Sequence, residues 1–194
     1  MAADRRRPRF LLVGTFLLFF VPIMGAWLLN VFAPGWRPFG TLNHGTLVEP
    51  VRQVSATALT GLDGGAMKAD YLSGRWTLVL MVDGDCGRPC LAALARSHQV
   101  QLALGDDMQR VQLLLVLMKT AAPGAATLPP GITVATANAT WLARFSFAQT
   151  QPAESLRLYL VDPQGYLMMR YGADVDQRGL LADLERLLRI SKIG

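Results

Sequence analysis

The sequence predicts an α/β protein in which helices flank a mixed sheet and one transmembrane helix precedes it. Three observations support this prediction: an uncharged stretch of 23 residues near the N-terminus, two continuous apolar runs separated by a helical stretch, and a hairpin followed by an amphipathic helix. With 194 residues, the chain has room for one membrane segment and one domain of ordinary size.

The uncharged stretch runs from Phe10 to Phe32. Roughly 20 apolar residues in a helix cross a bilayer, so this stretch is long enough to do so. The alternative is a cleaved signal peptide, whose apolar core has roughly 7–15 residues and ends in small residues at a cleavage site. Here the apolar run continues past Gly25 and Ala26 into Trp27, and no Ala-x-Ala pattern follows. We therefore predict a membrane anchor.

The flanking residues predict the orientation of this anchor. Four arginines precede it: Arg5, Arg6, Arg7 and Arg9. Positive residues stay on the cytoplasmic side, and Trp27 and Trp36 lie near the outer end, where indole rings favour the interface. The predicted organisation is a basic cytoplasmic tail at 1–9, a transmembrane helix at 10–32, a linker at 33–41 and a domain at 42–194.

The net charge reflects this topology. Residues 1–41 hold five of the 19 Lys and Arg residues and one of the 14 Asp and Glu residues, which leaves 14 basic and 13 acidic residues in the remainder. A nearly neutral domain lacks the basic surface with which proteins bind nucleic acid. We therefore predict no nucleic-acid partner.

The strongest signals in the domain begin at Trp76. Trp76 to Val82 and Val111 to Met118 are continuous apolar runs, as expected of strands buried on both faces. Between them, the segment Cys86-Gly87-Arg88-Pro89-Cys90 opens a helical stretch that runs to about Leu104 and is closed by Gly105-Asp106-Asp107. Proline is tolerated in a first helical turn, because its missing N–H would have no partner there.

The other predicted elements surround these three. Shorter ones are two strands within Leu47–Leu59, a turn at Asp63–Gly65, a loop at Thr120–Gly131 and a helix at Ala139–Ala148. Leu156–Val161 and Tyr166–Tyr171 flank the turn Asp162-Pro163-Gln164-Gly165 and predict a hairpin. A helix from Asp176 to Ile190 ends the chain, with a core-facing stripe of Leu180, Leu181, Leu184, Leu187 and Leu188. This order of strands and helices indicates the thioredoxin architecture.

The two cysteines of the chain, Cys86 and Cys90, both lie directly after a predicted buried strand and at the start of a helix. A helix N-terminus favours the thiolate, and residues four apart on a helix face each other. Three interpretations remain open: a structural disulfide, a thiol–disulfide redox centre, and two ligands of a Cu(I) site, since thiolates select Cu(I). A structural zinc site is disfavoured, because it needs four ligands and the chain has two cysteines and two histidines.

With these features, the sequence resembles the Sco/SenC family of cytochrome c oxidase assembly proteins. The matching features are the N-terminal anchor, the strand WTLVLMV, the C-x-x-x-C of Cys86 and Cys90, and the segment YLVDPQG at Tyr159–Gly165. The resemblance covers roughly residues 41–190 and implies a thioredoxin fold. It also implies Cu(I) binding by both cysteines and a distal histidine, and a domain that faces the periplasm or the intermembrane space. We expect the anchor in a bacterial inner membrane and the domain in the periplasm.

The sequence departs from the family at the histidine. In the family this residue lies a few positions before the Y-L-x-D-P-x-G segment, where this chain has Gln151-Pro152-Ala153-Glu154-Ser155, with Glu154 near the expected position. A carboxylate is a poor ligand for Cu(I). His98 lies eight residues beyond Cys90, about 12 Å along a helix, and is expected to be a surface or packing residue. His44 is expected to be a turn residue.

These considerations leave two functional hypotheses. The first is a membrane-anchored accessory or assembly factor for a haem–copper oxidase, which acts through the thiol pair in disulfide exchange or copper handling. Its partners would be oxidase subunits or other assembly factors. The second is a non-catalytic, membrane-anchored scaffold or oxidase-associated subunit with a structural disulfide. A general thiol–disulfide oxidoreductase is disfavoured, because ordinary thioredoxins carry C-x-x-C.

Overall fold

A computed structural model describes residues 6–33, 43–118, 128–145, 156–172 and 176–193 of the chain. They form two compact units, Met1–Leu42 and Asn43–Gly194. The helices are α1 Arg6–Phe32, α2 Arg88–Ala103, α3 Ala139–Ala143 and α4 Gln177–Ile190. The strands are β1 Thr46–Gln53, β2 Leu59–Gly61, β3 Trp76–Val82, β4 Val111–Leu117, β5 Ile132–Ala137, β6 Leu156–Val161 and β7 Tyr166–Tyr171.

Helix α1 constitutes the described part of the first unit. Its segment Phe10–Phe32 is long and apolar enough to cross a membrane, and none of that segment is buried within the protein. Its large side chains, Phe16, Phe20 and Trp27 among them, are exposed. In water, such a surface would be unfavourable, so a lipid environment accounts for it.

The second unit is a seven-stranded mixed sheet in the order β1-β7-β6-β3-β4-β5-β2. Strand β3 lies at its centre and pairs in parallel with β4 and antiparallel with β6. All seven residues of β3 and all seven of β4 are buried. Side chains of successive residues in a strand point to opposite faces, so both faces of the sheet carry apolar cores. The predicted mixed sheet flanked by helices is confirmed.

The two cores lie on opposite faces of the sheet. One contains alternate residues of β3, Leu78, Leu80 and Val82, together with both cysteines and residues of α2 and α4. The other contains Val79 and Met81 of β3 and the aromatic residues Trp141, Phe145 and Tyr159. In this second core, the rings of Trp141 and Phe145 lie 4.3 Å apart, and those of Phe145 and Tyr159 lie 5.0 Å apart.

Several elements differ from the sequence prediction. Strand β5 was not predicted, because most of its residues are only partly buried and the segment ITVATA is not continuously apolar. Strand β1 is one eight-residue strand, whereas the sequence predicted two short strands within Leu47–Leu59. Helix α3 ends at Ala143, whereas the sequence predicted its end near Ala148. Gly105–Arg110 form a 3-10 helix where the sequence predicted only a helix end.

Candidate functional site

The two cysteines form a disulfide where β3 leads into α2. Their Cα atoms are 5.1 Å apart and the S–S distance is 1.96 Å. Helix α2 begins at Arg88 with Gly87 as its N-cap, so Cys90 is the third helical residue. Cys86 precedes the helix, whereas the sequence prediction placed it within the helical stretch. The two sulfurs converge across the helix start rather than along one helix face.

Local sequence explains this turn. Gly84 has a φ angle of 105°, a backbone conformation that side chains disfavour, and it allows the chain to reverse after β3. The amide N–H of Gly87 then donates to the carbonyl of Asp85 over 2.9 Å, and the N–H of Leu91 donates to the carbonyl of Gly87 over 3.0 Å. Proline in the first turn of α2 costs no hydrogen bond. These contacts fix Cys86 against the start of α2.

The disulfide is more enclosed than its position in a loop implies. Cys86 is 6% exposed and Cys90 is 2% exposed, and both belong to the core on the α2 face. The surrounding residues Asp85, Arg88 and Pro89 are exposed. Among the described residues, these three exposed side chains adjoin the cysteines in sequence, and Cys86 is the more exposed cysteine of the two.

The described residues do not complete a metal site around these sulfurs. Within the ranges that the structure describes, no three or more His, Cys, Asp or Glu residues lie close enough together to hold a metal ion. His98 lies on α2 two turns beyond Cys90 and is partly buried. Glu154, which the sequence comparison placed near the family's histidine, lies outside the described residues. The described residues therefore offer two sulfur ligands, whereas the resemblance implies three ligands.

The start of β6 nevertheless lies beside the disulfide loop. Leu156, its first residue, pairs with Val82, the last residue of β3. The first residue of β6 and the last residue of β3, after which the chain continues to Cys86, therefore lie side by side at the same end of the sheet.

A second polar cluster, which the sequence analysis did not identify, surrounds Asp183. This residue of α4 is 3% exposed, and its carboxylate accepts hydrogen bonds from the backbone N–H groups of His44, at 2.9 Å, and Gly45, at 3.0 Å. The hydroxyl of Tyr171 donates to the same carboxylate over 3.2 Å, and Nδ1 of His44 lies 3.2 Å from it. The carboxylate thus holds the first residues of the domain against α4 and the end of β7.

His44 is therefore neither a simple turn residue nor a ligand near the cysteines. Its ring lies against Gly179 of α4, where an added Cβ would come within 2.8 Å of Cγ of His44. The sequence contained a signal for this cluster: Asp183 directly precedes Leu184 and falls on the apolar stripe of α4. A charged residue at a core position needs several hydrogen-bond partners.

The fold and the disulfide define a thioredoxin-like protein with a C-x-x-x-C pair at the start of a helix. The family model described as "transmembrane-like, thioredoxin-like, C-terminal domain" matches residues 76–191, and the chain belongs to that family. A search of curated proteins gave no significant match.

Solved structures of Sco proteins share the fold. Apo Sco1 of Thermus thermophilus is 18% identical with a TM-score of 0.58, and the match covers 78% of this chain and 99% of that chain. Yeast Sco1 with copper bound is 15% identical with a TM-score of 0.56, over 71% and 94% of the two chains. BsSco, a Sco-family oxidase assembly protein in which a disulfide switch is identified, is 14% identical with a TM-score of 0.52, over 72% and 98%. The resemblance to Sco proteins is confirmed at the level of the fold.

The first prediction concerns Asp183. Replacing Asp183 with alanine leaves the buried N–H of Gly45, the buried Tyr171 hydroxyl and the part-buried N–H of His44 without their acceptor, and each buried group costs about 1–3 kcal/mol. We expect Asp183→Ala to lower the free energy of unfolding by about 3 kcal/mol and to speed hydrogen exchange at the amides of His44 and Gly45. Glu185→Ala, at an exposed position on the same helix, is the control and should change stability by less than about 0.5 kcal/mol. Equal effects of the two substitutions would contradict the role of Asp183.

The second prediction concerns alkaline pH. Burial raises the pKa of Tyr171 above its ordinary value, and the neighbouring Asp183 carboxylate raises it further. The folded protein therefore keeps the Tyr171 proton where the unfolded chain loses it, and stability present below about pH 10 declines as the pH rises beyond that value. Between about pH 9 and 11, we expect the free energy of unfolding, measured with urea, to fall less steeply with pH in Tyr171→Phe than in the unaltered chain. An unchanged slope would contradict this assignment, and Tyr166→Phe is the matched control.

Proposed function

We propose that the chain is a membrane-anchored accessory factor for the assembly of a haem–copper oxidase and that it works by thiol–disulfide exchange at Cys86 and Cys90. The observation that carries the proposal is the disulfide between these residues, held between the end of a fully buried strand and the first turn of a helix. BsSco, which shares the fold, is an oxidase assembly protein with a disulfide switch. The fold and the thiol pair together support the same class of role here.

The exchange is a balanced two-step reaction. A thiolate of a partner attacks one sulfur of the Cys86–Cys90 bond, that bond breaks, and the other cysteine leaves as a thiolate. The partner's second thiol then displaces the cysteine from the mixed disulfide. The partner is oxidised and the pair in this chain is reduced, and the reverse sequence reduces a partner disulfide. The N–H groups at the start of α2 favour the thiolate form of the adjacent cysteine.

Copper handling is the second arm of this proposal. Once reduced, Cys86 and Cys90 would be the soft donors that Cu(I) prefers, and yeast Sco1 of the same fold binds copper. Among the residues with described positions, no third ligand accompanies the two sulfurs. Glu154, expected from the resemblance to replace the histidine, is a hard oxygen donor. We therefore place exchange ahead of copper retention.

We further propose that the anchor lies in a bacterial inner membrane, with the basic residues 1–9 in the cytoplasm and the domain in the periplasm. The arginines before α1 support this orientation. The Cys86–Cys90 disulfide is consistent with it, because disulfides persist in the periplasm and are rare in the cytosol. The expected partners, oxidase subunits or other assembly factors, would then be reached along the membrane surface.

The burial of the cysteines favours one other candidate function, a membrane-anchored scaffold with a static disulfide. At 6% and 2% exposure, the two cysteines are as enclosed as core residues. A disulfide that no thiol reaches would serve only to fix the turn between β3 and α2.

The reduction potential separates these two functions. Structural disulfides of secreted proteins have potentials below about −300 mV, whereas labile ones lie higher. We expect the full chain in lipid nanodiscs, equilibrated with dithiothreitol and glutathione buffers, to show a potential above that value. The Cys86→Ser/Cys90→Ser variant, which has no disulfide, measures the background signal of the titration. A potential below about −300 mV would support the scaffold and contradict the exchange function.

Copper affinity tests the second arm. We expect the reduced full chain, titrated with Cu(I) against a competing chelator, to form no tight one-to-one complex. Glu154→His adds an imidazole near the position of the family's histidine in the sequence. Loss of a residue that only hydrogen-bonds a metal ligand already lowers metal affinity by about tenfold, so we expect the added ligand to raise the Cu(I) affinity by at least about that factor. Glu185→His, at an exposed position on α4, is the matched control. Tight binding by the unaltered chain, abolished by Cys86→Ser, would contradict the preference for exchange.

A further inference from the structure

Exposed apolar side chains are concentrated at one end of the domain. Outside α1, seven large apolar side chains of the described residues are exposed. Four of the seven come from the last turn of α2, the 3-10 helix that follows it, and the end of α4: Leu102, Met108, Ile190 and Ile193. We call these four side chains the apolar patch. Ile190, at 77%, is the most exposed of the seven.

Two polar side chains hold together the segments that carry the apolar patch. The side-chain amide of Gln101 donates to the carbonyl of Met108 over 3.4 Å. The guanidinium of Arg110 donates to the carbonyls of Leu188, over 3.2 Å, and Ile193, over 3.1 Å. These hydrogen bonds fix the backbone around the patch. The exposure of its side chains is therefore a property of the folded domain rather than of a frayed end.

The apolar patch and the disulfide lie at opposite ends of the sheet. Val111, which follows Arg110, is the first residue of β4 and pairs with Trp76, the first residue of β3. The disulfide follows Val82, the last residue of β3. A strand advances about 3.3 Å per residue, so the seven residues of β3 separate the two ends by about 20 Å.

The charges around the apolar patch are mixed, with an excess of cations. Within three positions of a patch residue in the sequence lie Arg110, Arg189 and Lys192, and also Asp106 and Asp107. Arg189 and Lys192 are exposed, whereas the carboxylate of Asp107 accepts a hydrogen bond from Arg110 over 2.9 Å. An apolar surface with exposed cations beside it suits the boundary of an anionic bilayer, where apolar side chains enter the acyl region and cations meet the headgroups.

The size of the apolar patch favours lipid over a protein partner. A stable protein–protein interface takes roughly 20–30 residues from each side, and the patch supplies four apolar ones. Docking on lipid needs far less, because α1 already holds the chain at a bilayer. Residues 33–42 connect α1 to the domain and span at most about 35 Å. A tether of this length gives an effective concentration in the millimolar range, so a weak contact is sufficient.

We propose that the apolar patch docks the domain on the surface of the bilayer that holds α1, with Arg189 and Lys192 at anionic headgroups. In this orientation the end of β3 that leads to the disulfide points away from the lipid, about 20 Å further out. Cys86 and Cys90 are then presented to partner domains outside the membrane rather than to the bilayer. The docking does not depend on thiol exchange.

The experiment measures how close two positions of the domain lie to lipid. The full chain is placed in nanodiscs at one copy per disc, and a fluorophore is attached to a new cysteine, which is the free thiol because Cys86 and Cys90 are joined. Gln109→Cys places it beside the patch, and Arg178→Cys places it on α4, about 18 Å along the helix from Ile190. We expect lipids with a doxyl group on the acyl chain to quench the label at position 109 and to leave that at position 178 bright.

Two double variants provide the matched comparison. Ile190→Ser/Ile193→Ser removes half of the apolar patch and should lower the docking equilibrium constant at least about tenfold, since burial of one such side chain is worth that factor or more. Leu47→Ser/Val51→Ser removes two exposed aliphatic side chains of β1 and should leave the quenching at position 109 unchanged. Near-ultraviolet circular dichroism checks that each variant folds.

Each of the other outcomes would overturn the inference. Equal quenching at positions 109 and 178 would show that the domain has no preferred orientation at the bilayer. Quenching at position 109 that persists in folded Ile190→Ser/Ile193→Ser would exclude the apolar patch as the contact. A change at position 109 that requires two copies per disc would assign the patch to a second copy of the chain. Equal quenching in phosphatidylcholine discs with and without phosphatidylglycerol would contradict the place given to Arg189 and Lys192.

Discussion

Strand β3 is paired along its length with β4 on one side and β6 on the other, and all of its side chains are buried. A strand held on both edges and both faces has no freedom to shift its register, because a slip by one residue would move every side chain to the opposite face. The loop that follows Val82 therefore starts from a fixed point. The positions of Cys86, of the first turn of α2 and of Leu156, which pairs with Val82, all follow from this strand.

The disulfide combines a loop position with core burial. Loops that connect a buried strand to a helix commonly carry functional residues, because a rigid scaffold positions them. Here both cysteines belong to the core formed with α2 and α4, although exposed residues such as Asp85 and Arg88 are their neighbours in sequence.

The membrane anchor and the Asp183 cluster belong to different units of the chain. Helix α1 is suited to hold the chain at a bilayer, and Asp183 fixes the residues where the domain begins. Three donors, the N–H groups of His44 and Gly45 and the hydroxyl of Tyr171, offset the cost of burying this carboxylate. His44 and Gly45 are thus a defined part of the fold.

The sequence predicted the elements that have the clearest hydrophobic patterns. The continuous apolar runs predicted β3 and β4, and the Asp162–Gly165 turn predicted the hairpin of β6 and β7. The leucine stripe predicted α4. Each predicted bound lies within one residue of the observed one. Strand β5 was missed because a strand near the sheet edge is only partly buried and needs no apolar run. The Asp183 cluster was missed because His44 lies 139 residues before Asp183 in sequence, and only the fold brings them together.

The candidate site was predicted in part. The spacing of Cys86 and Cys90 and their place after a buried strand indicated that the sulfurs converge, and the disulfide agrees with this expectation. Their burial could not be predicted, because it depends on how α2 packs against α4 and the sheet. The role of Glu154 stays a prediction, since it lies outside the described residues.

The central claim, that Cys86 and Cys90 exchange disulfides with an oxidase subunit or assembly factor, is tested most directly by trapping in cells. The Cys86→Ser and Cys90→Ser variants each leave one thiol that cannot complete the exchange, and the double variant is the control. After acid quenching and alkylation, the account predicts that at least one single variant yields an adduct, sensitive to reductant, that contains such a partner. The absence of any adduct from both single variants, with the unaltered chain fully oxidised throughout, would contradict it.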